Sequence, residues 1–67
     1  MEDKEGFVIK VGNVVRTENG TGRVLDIFPS LLFNKKIWIV KTKMLDGTEA
    51  GHIKELEAGL IRGIVIP

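Results

Sequence analysis

Residues 36–45 read K-I-W-I-V-K-T-K-M-L, a run rich in β-branched positions. Strand alternation puts Trp38, Val40, Thr42 and Met44 on one side and Lys41 and Lys43 on the other, so one side reads as core and the other as solvent. The run ends at Asp46-Gly47, a dipeptide that favours a type I′ turn, and residues 48–53 are expected to pair back against it. Upstream, residues 7–11 form a first short strand, and Gly12 separates it from residues 13–17, which continue it after a bend. Asn19-Gly20 supplies a hairpin turn, with residues 22–28 as the return strand. Pro29 has no amide proton for a ladder and restricts Phe28, so pairing is expected to weaken there and a longer connection to run from Ser30 to Lys35. Residues 54–57 lack alternation and fit one helical turn, which Gly59 keeps short. Residues 60–66 close the chain as a strand, with Gly63 at a bulge or close approach.

Five short strands with tight turns, one longer loop and a helical turn before the last strand specify an all-β protein. A two-layer or closed barrel is the economical way to bury one face and remove exposed edges. Val15, Val24, Ile27, Trp38, Val40, Ile53, Leu56 and one face of the last strand are the expected core. Residues 11–27, V-G-N-V-V-R-T-E-N-G-T-G-R-V-L-D-I, resemble the opening of a KOW-type or Tudor-type SH3-like barrel, with Asn13 in place of the usual Asp. Residues 38–57, W-I-V-K-T-K-M-L-D-G-T-E-A-G-H-I-K-E-L-E, are similar to the third strand, distal hairpin, fourth strand and 3₁₀ turn of the same superfold. The resemblance implies an SH3-like five-stranded small barrel with one short 3₁₀ turn before the last strand.

The chain has no tyrosine, against the tyrosine-lined groove of polyproline-binding SH3 domains, and its four aromatics must also furnish the core, against a methyl-lysine cage. The KOW-like branch fits better and implies contact with RNA, DNA or a nucleoprotein or transcription complex. On that resemblance the glycine turn, Asn19, Gly20, Thr21, Gly22 and Arg23, approaches a nucleic-acid backbone, with Glu18 beside it as an unfavourable charge.

Sixty-seven residues allow one domain, expected over 7–67 behind a flexible acidic segment 1–6. Without cysteine and with a single histidine, disulfides and a Cys/His zinc site are excluded, and no metal or cofactor is expected. An acidic start is unlike a secretory signal, and no apolar run approaches the roughly 20 residues that cross a bilayer. The expectation is a soluble, cytoplasmic protein without a membrane partner.

Ten basic residues against nine acidic ones give a net charge of +1, so an anionic partner must be read by a local patch. Arg16, Arg23, Lys35, Lys36, Lys41 and Lys43 are the candidates, set against lysines that merely keep a sheet soluble. Leu31-Leu32-Phe33 is unexpected in a connection, where it either lids the barrel, extends the hairpin or faces a partner. With Ile64 and Ile66 of the last strand it defines a candidate protein interface or homo-oligomer contact. His52 has no nucleophile or orienting group at a suggestive spacing, Glu55 and Glu57 do not face each other across a helical turn, and E-N-G-T-G-R lacks the ending of a phosphate loop. Two functions remain: a non-catalytic module that binds nucleic acid through a basic face, or a protein-interaction subunit using 31–33 and the last strand.

Overall fold

The computed structural model describes residues 8–67, the side chain of Leu32 excepted, so the acidic segment 1–6 and Phe7 lie outside the described residues. Five strands follow in order: β1 (Val14–Thr17), β2 (Gly20–Leu32), β3 (Lys35–Met44), β4 (Ile53–Glu57) and, after a 3₁₀ turn at Ala58–Leu60, β5 (Gly63–Ile66). They make one antiparallel sheet in the order β4-β3-β2-β1-β5, with no α-helix among the described residues. The all-β expectation therefore holds. The sheet itself is open, because β4 and β5 are its two edges.

Alternation sets the inner face. Val15, Gly22 and Met44 share one cross-strand row, Val24 and Thr42 the next, and Ile27, Val40 and Leu56 a third. Ile9, Val15, Val24, Val40 and Ile61 form the buried cluster, against which Ile27, Leu56, Ala58 and Ile64 pack. Leu56 comes from one edge strand and Ile64 from the other, so the sheet curls until both edges share a core. Asn13, where the resemblance has an acid, is buried, and its side-chain oxygen accepts the Lys10 N–H at 2.7 Å. A neutral amide makes that turn without burying a charge.

Several boundaries differ from the pattern. Val8 forms only an isolated bridge, and the first true strand begins at Val14. The segment 54–57, expected as a helical turn, is strand β4, and the helical turn lies just beyond it at Ala58–Leu60. The connection after Met44 runs through residues 45–52 instead of closing at Asp46-Gly47; Gly47 alone of that pair has a positive φ, 83°. A side chain on Gly47 would meet the Asn19 carbonyl oxygen, so this connection lies directly on the β1–β2 turn.

The largest departure is at Pro29. β2 runs through it, paired Pro29↔Trp38, and the hairpin continues to the Leu32↔Lys35 pair around a two-residue turn at Phe33-Asn34. A proline is tolerated because β1 pairs with β2 only from Gly20 to Arg23, and a strand with one open edge can turn its missing N–H outward. The supposed loop is the end of a hairpin arm. Trp38 keeps the expected parity but sits beyond the end of the core, 42% exposed, and Ile53 faces outward at 55%; neither is a core residue.

Candidate nucleic-acid interface

The outer face of the sheet collects part of the basic set. Arg23 on β2 lies directly opposite Lys43 on β3, with Val14 on the far side of Arg23 and Ile53 on the far side of Lys43. Arg16 on β1, opposite Thr21, stands one row away on the same face, and all three basic side chains are exposed. Two cations directly across an antiparallel pair repel each other and cost the sheet stability. The Arg23 guanidinium is partly steered aside, since its Nη1 donates to the Gly12 carbonyl at 2.8 Å, but the row contains no carboxylate.

Lys41 does not join this cluster. It sits in register between Asp26 and Glu55, which neutralise its field locally, and is only half exposed. Lys35 and Lys36 are at the opposite end of the hairpin, eight and seven residues along β3 from the Arg23–Lys43 pair at about 3.3 Å per residue. The six basic candidates are thus a triad on the sheet, a neutralised lysine and a pair at the arm's tip.

The glycine turn is occupied by the protein itself. Thr21 donates its backbone N–H to Asp46 Oδ1 and its hydroxyl to Oδ2, both at 2.7 Å. A Cβ on Gly20 would meet the same carboxylate. The turn between Thr17 and Gly20 is held by the Thr17 hydroxyl, which donates to the Gly20 carbonyl and accepts from the Asn19 backbone N–H. Asp46 was not singled out by the sequence beyond its turn-forming role, yet it takes the donors that the resemblance assigns to a phosphate.

The two hydrogen bonds from Thr21, hydroxyl first and amide second, hold the Asp46 carboxyl below its ordinary value of 3.8. A depressed folded-state pKa means that the contact stabilises fully above 3.8 and is lost as pH falls through the lower folded value. Urea midpoints of the wild type and Asp46→Ala should therefore differ at neutral pH and converge on acidification below about 3.8. A gap that persisted unchanged into that acid range would show that the carboxylate's charge is not what joins the two turns.

Of the apolar candidates, Leu31 and Phe33 are exposed at 76% and 93%, while Ile64 is engaged with the core and Ile66 is exposed at the sheet edge. Pro29, Ser30, Leu31 and Lys36 line a shallow groove of about 360 Å³ on the inner face of the arm, and the Lys36 ammonium stands 5.8 Å from the Trp38 ring centroid. The side chain of Leu32 lies outside the described residues. Among the described residues no three of His, Cys, Asp and Glu come together as metal ligands, and no helix is long and apolar enough to cross a membrane. Comparison of the chain with protein-family profiles, curated proteins and solved structures returned no match.

Proposed function

We propose that this chain is a non-catalytic, cytoplasmic binding module on an SH3-like small-barrel scaffold, and that it contacts nucleic acid through the outer face of its sheet. The scaffold reading is supported by the meander of β1 to β4, the 3₁₀ turn before β5, and the return of β5 to pair with β1. Packing of both edge strands on one core gives the curl of a small barrel without an edge-to-edge ladder. The observation that carries the function is the Arg23–Lys43 pair. The fold sets two cations directly across from each other beside Arg16, a placement that weakens the sheet alone and is relieved by an anion lying over it.

Each phosphate neutralised contributes about −0.9 to the slope of log K against log salt. Engagement of Arg16, Arg23 and Lys43 alone predicts a slope of about −2.7, and addition of Lys35 and Lys36 takes it to about −4.5. Fluorescence anisotropy with a 20-base-pair duplex, titrated from low to moderate salt, measures it. Arg16→Glu with Lys43→Glu should weaken binding at least tenfold and make the slope shallower by about 1.8. Undiminished affinity in that double variant would remove the outer face as the binding surface.

A second reading, a protein interface or homo-oligomer contact through Leu31, Leu32, Phe33 and the β5 edge, is favoured by the exposure of Leu31 and Phe33. Sedimentation separates the two: this reading requires either a multimer or a bound protein partner, and the first requires neither.

A further inference from the structure

We infer that the β2–β3 arm is a wedge for double-stranded nucleic acid, with Phe33 entering between stacked base pairs while Lys35 and Lys36 hold the phosphates on either side. This rests on the nucleic-acid reading above and extends it to a second, separate part of the molecule.

The arm is built to project. β4 pairs with β3 only from Ile39 to Lys43, and β1 reaches only Arg23 on β2, so Pro29–Trp38 through Leu32–Lys35 are paired with each other alone. Four residue pairs at about 3.3 Å each, plus the turn, carry the tip about 13 Å past the supported sheet. A two-stranded ribbon of this kind fits a DNA groove.

Folding gives no account of the residue at the tip. Phe33 and Asn34 have φ angles of 52° and 62°, the left-handed pair of a type I′ turn, where asparagine and glycine are favoured. A bulky phenylalanine is disfavoured in that conformation, and this one recovers nothing by burial because 93% of it is exposed. Strain without burial at a projecting tip marks a side chain kept for an external contact. Apolar wedges of Phe and Leu are the side chains that unstack base steps when a protein kinks a duplex.

The charges select the occupant. Residues 27–45 contain Lys35, Lys36, Lys41 and Lys43 and no Asp or Glu. Protein interfaces are depleted in lysine at their centres, whereas this apolar tip carries two lysines immediately after its turn. Strand alternation sends Lys35 to the outer face, in the row of Leu32, and Lys36 to the inner face, in the row of Leu31. Two ammonium groups on opposite sides of one apolar tip match the two backbones that border a groove. A single-strand platform would instead need aromatics in file, but Phe33 stands alone at the end and Trp38 is set back beside Lys36.

The test uses the full chain, a DNA duplex with 2-aminopurine at a central TA step, and the variants Phe33→Gly and Phe33→Leu. Glycine suits the left-handed turn, so loss of function in Phe33→Gly cannot be a folding failure. Wild-type protein should raise 2-aminopurine fluorescence at saturation. Phe33→Gly should abolish the rise and weaken binding about tenfold at an unchanged salt slope, with Phe33→Leu in between. Wild-type binding without any fluorescence change, or equal behaviour of Phe33→Gly, overturns the wedge and leaves outer-face binding intact. No binding by any form overturns both. A wild-type dimer that Phe33→Gly converts to monomer, or wild-type protein that pellets with anionic lipid vesicles but ignores duplex, assigns the arm to another occupant and also overturns the wedge.

Discussion

Alanine at Gly22 should lower the melting temperature by roughly 5–20 °C, from an overpacking cost of about 1–3 kcal/mol and a shift of about 4–8 °C per kcal/mol in a domain this small. Gly22 lies in mid-sheet between Val15 of β1 and Met44 of β3, and it is buried. Its requirement for glycine comes from close approach. A Cβ would collide with the Thr42 Cγ2 methyl and lie 3.2 Å from both the Lys43 carbonyl oxygen and the Met44 sulfur. Thr42 is itself fully buried and cannot swing aside into solvent. The collision is specific enough to be reversed: Thr42→Ser removes that methyl, so the double variant should be more stable than the sum of the two single changes implies. Thermal melts of the four proteins give the coupling directly. Strict additivity would mean that Gly22 and Thr42 do not meet.

Truncation of Ile61 to alanine should cost about 2–5 kcal/mol. Against a total of about 3–10 kcal/mol for 67 residues, this is enough to leave much of the protein unfolded near 37 °C. Ile61 belongs to no strand. It follows the 3₁₀ turn, donates its amide to the Ala58 carbonyl, and buries its whole side chain in the central cluster, while the next amide, Arg62 N–H, donates to Arg16 at 2.7 Å. One side chain therefore anchors the crossover that returns β5 to β1. A urea titration should show the midpoint falling with an unchanged slope. A midpoint within error of wild type would show that the crossover is held by its backbone bonds alone.

The contrast between Ile61 and Trp38 explains what was legible in the sequence. Alternation located Val15, Val24 and Val40 in the core and put Ile27, which packs against that cluster, on the same side, because parity is a local property of a strand. Leu56 also packs against the core, but from strand β4 and not from the helical turn expected at 54–57. Alternation also gave Trp38 the correct side of β3. Parity does not say where along a strand the covering layer stops, and Trp38 lies past that limit. Pro29 misled for a related reason: its effect depends on whether the strand has a neighbour on its N–H side, which is a fact of sheet order. The same holds for the candidate site. The basic residues were visible individually, but the separation of Arg16, Arg23 and Lys43 from Lys35 and Lys36 follows from register, and the capture of Thr21 by Asp46 joins positions 25 apart in the chain.

The placement of Trp38 bears on how unfolding of this protein is to be observed. It is the chain's sole tryptophan, and with no tyrosine present it dominates the intrinsic emission, yet it stands on the arm, outside the cluster of Ile9, Val15, Val24, Val40 and Ile61. Emission consequently tracks the arm, whereas far-ultraviolet dichroism tracks the sheet. A fluorescence transition that precedes the dichroism transition would signify fraying of a segment with few buried contacts, the low-stability end of one native structure, and would not by itself establish a folding intermediate.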